Sequence, residues 1–179
     1  YEINAFYVRK NYAVLLLQKE VETLETMLNR PKKPFMAILG GAKVADKITT
    51  INRLLVMVDK LLIGGAMSYP FLKAKGINIG KSLCDAHDVE LATSILRADK
   101  LHKIELPVDH IVVKNFDDQT GVESNEITDE TLGLDIGPKT IDKYKTHLSS
   151  AKTIFWNGPM GYFEKPAFAK GTFAMAEHL

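Results

Sequence analysis

Two glycines and two lysines form the stretch with the most chemical content. In Phe35-Met36-Ala37-Ile38-Leu39-Gly40-Gly41-Ala42-Lys43-Val44-Ala45-Asp46-Lys47, an apolar run ends in Gly40-Gly41, and lysines follow at 43 and 47. If a helix opens at 43, residues four apart share a face, and both ammonium groups address one point. Phosphate suits that arrangement: glycine lets a ligand approach the backbone, and the free N–H groups of a helix start attract negative charge. Unpaired cations in a first turn cost about 0.3–1 kcal/mol each against the helix macrodipole, and a bound anion reverses the sign. Two solvated lysines partly offset by Asp46 produce the same pattern, so this stretch alone leaves both readings open.

The elements that must position these groups read as alternating strands and helices. The run 35–39 suits a central strand covered on both faces. Lys60-Leu61-Leu62-Ile63 is a second short buried strand ending in Gly64-Gly65, and Thr153-Ile154-Phe155-Trp156 is a third, broken by Asn157-Gly158-Pro159. Helical spacing appears over 13–29 (Leu17, Val21, Leu24, Leu28), 43–58, from Met67 to Gly76 with Pro70 in the first turn, 86–101 and 138–148. A last helix runs from 167 with Pro166 at its first position. Ile104-Glu105-Leu106 and 109–113 form a strand pair or a strand bent around Pro107, and 115–131 is an excursion or short edge hairpin. This order predicts an α/β chain, a three-layer αβα Rossmann-like domain with a mainly parallel sheet. Residues 1–12 stay unassigned, 13–179 form one domain, and the end within a helical pattern suggests a fragment.

In an open parallel sheet, strand ends lie on one edge, where ligands bind. Gly40-Gly41, Gly64-Gly65 and Asn157-Gly158-Pro159 would meet there, with Gly133 as a fourth such position. Each glycine taken singly can be a plain strand cap; three at one edge, with the lysines, favour a nucleotide. Glu164 could accept hydrogen bonds from a ribose or serve as an ordinary acidic group before the last helix.

Composition excludes several classes. With 179 residues, 46% hydrophobic and a net charge of +1, the chain gives no electrostatic argument for nucleic acid or an anionic membrane. No apolar run approaches the roughly 18–20 residues that span a bilayer. The lone Cys84 precludes an internal disulfide and fits a reducing compartment, so a cytoplasmic protein is expected; nothing apolar on the expected surface demands a partner, so it is expected to be a monomer. The five histidines lack metal-ligand spacing, and neither the P-loop, the dinucleotide G-x-G-x-x-G nor a serine nucleophile elbow is present.

Five segments in this order carry a resemblance: Gly40-Gly41-Ala42-Lys43-Val44-Ala45-Asp46-Lys47, Leu62-Ile63-Gly64-Gly65-Ala66-Met67, Leu106-Pro107-Val108-Asp109, Gly133-Leu134-Asp135-Ile136-Gly137-Pro138, and Trp156-Asn157-Gly158-Pro159-Met160-Gly161-Tyr162-Phe163-Glu164. Over about 13–179 the chain resembles the nucleotide-binding, C-terminal domain of the phosphoglycerate kinase family. The resemblance implies phosphoryl transfer between 1,3-bisphosphoglycerate and Mg-ADP, giving 3-phosphoglycerate and ATP in glycolysis. It implies Gly41, Ala42 and Lys43 along the nucleotide, and Lys47 on its phosphates as the catalytic cation. Gly65 and Gly133 then line the adenine pocket, and Asn157, Pro159, Phe163 and Glu164 hold the ribose and neighbouring phosphates.

The chain also departs from the family pattern. Ala66 stands where a third glycine is usual, Ser68-Tyr69-Pro70 replaces a small-aromatic-Thr run, and Tyr162 replaces a small aliphatic residue. The family's phosphoglycerate-binding N-terminal domain and its later Gly-rich loop, whose Asp holds Mg2+, are not among these residues, so the chain alone is expected to be inactive. A Rossmann-type oxidoreductase domain would want an acid after the second strand, where Gly64 and Gly65 stand. A non-catalytic interaction module on the same sheet is the third reading.

Overall fold

The structure is a computed structural model that describes residues 31–179, of which Lys33–Leu179 form one compact unit. The helix expected over 13–29 lies outside the described residues.

β1 (Phe35–Leu39) is buried along its whole length, as an uninterrupted apolar run requires. A short 3-10 turn (Ala45–Lys47) precedes α1 (Ile48–Met57), which leads to β2 (Lys60–Ile63). Next come α2 (Ser68–Ala74), with Pro70 inside its first turn, α3 (Ala86–Ala98), and β3 (Ile104–Glu105). The chain then leaves this sheet for β4 (His110–Val113), β5 (Val122–Ser124) and β6 (Leu132–Ile136). It returns through α4 (Pro138–Leu148) to β7 (Thr153–Asn157), and ends in a 3-10 turn (Pro166–Phe168) and α5 (Lys170–Ala176).

β3, β2, β1 and β7 lie side by side in that order, all parallel. Successive strand residues point to opposite faces, and β1 divides its side chains between two cores accordingly. Phe35, Ala37 and Leu39 pack with Ile51 and Leu54 of α1 and Ala92 and Ile95 of α3. Met36 and Ile38 pack with Ile141, Tyr144 and Leu148 of α4 and Met175 of α5. Helices therefore cover both faces of a parallel sheet, the three-layer arrangement expected.

Several elements differ from the expectation. Residues 104–106 and 109–113 neither pair nor form one bent strand: β3 joins the parallel sheet, while β4 is the centre of a separate antiparallel sheet ordered β5-β4-β6. The excursion at 115–131 contributes β5 as an edge strand, and β6 was not anticipated. α3 ends three residues early, because the Asp99 carboxylate accepts the Lys103 and Ile104 N–H groups at 2.9 Å and turns the chain into β3. Pro166 opens a 3-10 turn, and the helix proper starts at Lys170.

Two polar anchors fix the layers. The buried Asp109 carboxylate accepts the Lys139 N–H at 2.9 Å and the Thr140 N–H at 2.7 Å, satisfying free donors in the first turn of α4. Across the sheet the buried Tyr144 hydroxyl donates to the Ile63 carbonyl at 2.6 Å, tying α4 to the end of β2.

Candidate functional site

The strand order reverses beside β1. From the C-terminal end of β1 the chain passes to α1 on one face; from that of β7 it passes to α5 on the other. Between two such ends an open α/β sheet has a crevice suited to a ligand.

Backbone hydrogen bonds stitch the loops around this crevice. The Gly40 N–H donates to the Asn157 carbonyl at 2.9 Å, the Gly65 N–H to the Met160 carbonyl at 2.8 Å, and the Met67 N–H to the Gly41 carbonyl at 2.9 Å. The approach is close enough to demand glycine at Gly40, where a Cβ would lie 1.8 Å from the Pro159 carbonyl oxygen. Gly65, at φ +66°, adds a left-handed backbone that L side chains rarely adopt. The strand-end glycines thus close the loops on one another and expose backbone toward the space beside them.

That space is a cavity of about 420 Å³. Gly41, Ala42, Gly65 and Pro159 line its sheet-edge side, and Gly133, Phe163 and Glu164 line the rest of its wall from β6 and the loop after β7. Ala66 lines it too, where the resemblance calls for glycine. Sequence reasoning did not assign Leu83 or Phe116, which also face the cavity, and it knew Tyr69 and Tyr162 only as departures. Gly133 serves packing as well: its N–H donates to the Ser82 hydroxyl at 3.0 Å, and a Cβ there would stand 2.3 Å from the Tyr69 hydroxyl. An apolar hollow with few polar groups at its rim suits a flat, partly hydrophobic ligand with a polar extension.

Lys43, Lys47 and Asn157 do not line the cavity. The expected helix at 43 is absent, which corrects the shared-face argument: Lys43 is exposed on the loop, and α1 starts only at Ile48. The cause is Asp88 of α3, 4% exposed, whose carboxylate accepts the Ala45 N–H at 2.9 Å and holds residues 45–47 in a 3-10 turn. That N–H is therefore spent inside the protein. Lys47 reaches the crevice by another route. Its stem lies over Gly41, where an added Cβ would be 3.3 Å from Lys47 Cε, and its ammonium donates to the Asn157 side-chain carbonyl.

Beneath the loop after β7, the Asp135 carboxylate is buried and accepts the Gly171 N–H at 2.7 Å and the Ile136 N–H at 2.9 Å. Burial pushes its pKa up to about 7 despite those bonds. Burial, and then the Asp135 charge, lift the Tyr69 hydroxyl above the ordinary tyrosine range. Among the described residues no three His, Cys, Asp or Glu side chains form a group able to hold a metal ion. Glu164 is the one carboxylate lining the cavity, and with Lys47, Asn157 and backbone groups it supplies the polar chemistry of the crevice. No helix among the described residues is long and apolar enough to cross a membrane.

Comparison with known proteins agrees with this geometry. The family model described as phosphoglycerate kinase matches residues 1–179, taking in the segment 1–12. A phosphoglycerate kinase of Anaeromyxobacter sp. (strain Fw109-5) is 46% identical over 97% of this chain, and one of Koribacter versatilis is 50% identical over 96%. The solved phosphoglycerate kinase from Coxiella burnetii superposes with a TM-score of 0.85 at 39% identity, over 91% of this chain. The chain spans 45% and 44% of the two curated relatives and 43% of the solved chain. Ordered motifs, sheet topology and sequence identity converge, and the chain belongs to the phosphoglycerate kinase family.

Proposed function

We propose that this chain is the nucleotide-binding part of a kinase that transfers a phosphoryl group between 1,3-bisphosphoglycerate and Mg-ADP, giving 3-phosphoglycerate and ATP in glycolysis. One observation carries the reading: the loops after β1, β2 and β7 meet at the strand-order reversal, with an apolar cavity on one side and the Lys47–Asn157 pair at its margin. The base and ribose occupy the cavity, with Glu164 at the rim as acceptor for ribose hydroxyls, and the phosphates extend toward Lys47 and Asn157.

Phosphoryl transfer demands chiefly alignment and neutralisation of charge. A β-phosphate oxygen of ADP attacks the acyl phosphate, the acyl C–O–P linkage breaks at phosphorus, and the carboxylate of 3-phosphoglycerate departs. Lys47 neutralises charge on the transferring group, and Lys43, free on its loop, adds a second cation. Mg2+ travels with the nucleotide and supplies further neutralisation when bound. The three-carbon substrate binds to a part of the longer relatives that these 179 residues do not represent, so the chain alone binds nucleotide without turnover. The chemistry and the lone cysteine suit the cytoplasm. Titration of Mg-ADP into the chain tests the reading, since a protein without this site takes up no ADP.

A further inference from the structure

Facing the glycine loops, the cavity has an aromatic wall assembled from two separate loops. Phe116 follows β4 and Tyr162 follows β7; their ring centroids stand 5.1 Å apart, the planes inclined by 33°. Both rings line the cavity. Phe116 is 51% exposed, so burial alone holds it weakly against the wall.

One side chain joins the two loops. The Lys165 ammonium donates to the Phe116 carbonyl at 2.9 Å. It lies 5.2 Å from the Phe116 ring centroid and 5.7 Å from that of Tyr162, within the reach of cation–π attraction. The backbone N–H of Lys165 donates to the Tyr162 carbonyl at 3.1 Å, so the residue is anchored on its own loop while its head holds the other. On the far loop the Asp118 carboxylate accepts the Lys114 and Asn115 N–H groups at 3.1 and 2.9 Å and closes the turn that carries Phe116.

We propose that Lys165 is a positioning residue for base recognition: it latches the Phe116 loop to the loop after β7 and holds Phe116 and Tyr162 as one wall, which favours a two-ring base over a single-ring one. The proposal rests on the nucleotide reading and adds to it the means of base selection. Stacking strengthens with the ring area covered. A wall of two fixed rings therefore senses base size, whereas a loose Phe116 senses it poorly. Lys47 and Asn157 do not line this wall, so the phosphate end should be indifferent to the latch.

The test is calorimetric titration of ADP and CDP into the 179-residue chain and its Lys165→Met and Lys165→Arg variants. Methionine keeps the stem and loses the cation and donor; arginine keeps both. The parent is expected to bind ADP more tightly than CDP. Lys165→Met lowers ADP affinity by about three- to tenfold and CDP affinity less, narrowing the ratio, while Lys165→Arg restores it. An unchanged ratio in Lys165→Met, with the parent binding ADP, overturns the latch and leaves the nucleotide reading standing. A parent that binds neither nucleotide overturns both.

Discussion

The Lys47 ammonium donates to the Asn157 side-chain carbonyl, joining the residue before α1 to the last residue of β7 across the point where the strand order reverses. The contact spans the crevice beside Gly41, and it keeps a half-buried cation in place with a neutral partner. An amide oxygen satisfies the ammonium but does not neutralise it, so the charge remains available to an anion. The position of Lys47 depends in turn on the turn that presents it.

Asp88 should control that turn. Removing its carboxylate in Asp88→Ala orphans the Ala45 N–H and releases residues 45–47. We expect a stability loss of about 1–3 kcal/mol in urea unfolding and weaker ADP binding. A variant as stable as the parent, with unchanged ADP affinity, would show that Asp88 does not hold the turn.

Two glycine substitutions should differ sharply. At Gly40 a methyl group would meet the Pro159 carbonyl oxygen at 1.8 Å, and neither backbone can yield without parting β1 from β7. Gly40→Ala is expected to cost more than about 4 kcal/mol or to prevent folding. Gly76 closes α2 at φ +77° with nothing within 4 Å, so Gly76→Ala carries only the left-handed penalty of about 1–2 kcal/mol. Thermal and urea melts of the pair decide the matter, and equal costs would contradict the interlocked loops.

Two buried groups give stability opposite dependences on pH. Burial raises Asp135 to about 7, so the folded chain holds that proton more tightly than the unfolded one. Its contribution is complete below the ordinary aspartate value of about 4 and is lost as pH climbs toward 7. Burial lowers His110 to about 4 against the pull of Asp109, so its contribution is complete above about 6.5 and is lost as pH falls toward 4. Each slope approaches about 1.4 kcal/mol per pH unit, and between pH 4 and 6.5 they oppose. His147, also lowered by burial first, adds to the His110 side. Asp135→Asn loses one acceptor and is weaker throughout, but its stability should now rise with pH across this window. His110→Gln should instead fall. Urea midpoints at about pH 4.5, 5.5 and 6.5 read both slopes; variants that track the parent would refute the assignment.

What the sequence disclosed follows from how local each signal is. β1 was legible because an apolar run bounded by Pro34 and Gly40 has few other uses, and the three strand-end glycine loops followed from the same pattern. β6 was not, because Leu132-Gly133-Leu134-Asp135-Ile136 mixes strand formers with glycine and aspartate, which strands disfavour. Its Asp135 is accommodated only by distant glycines: a Cβ on Gly161 or Gly171 would lie 2.2 or 2.4 Å from its carboxylate. The lysine pair misled for a related reason, since Asp88 diverts the backbone into a 3-10 turn from another helix. Likewise the glycine side of the cavity could be read from strand ends. Tyr69, Leu83 and Phe116 reach its wall through three separate segments and share no period.

Calorimetric titration of Mg-ADP into the 179-residue chain and its Lys47→Ala variant tests the central claim most directly. Saturable binding to the parent is expected, with at least about tenfold weaker binding to the variant, the scale of one lost hydrogen bond to a charged group, and a melting temperature little changed. Equal affinity in both would contradict phosphate recognition at the β1–β7 crevice, and no binding to the parent would contradict the nucleotide site itself.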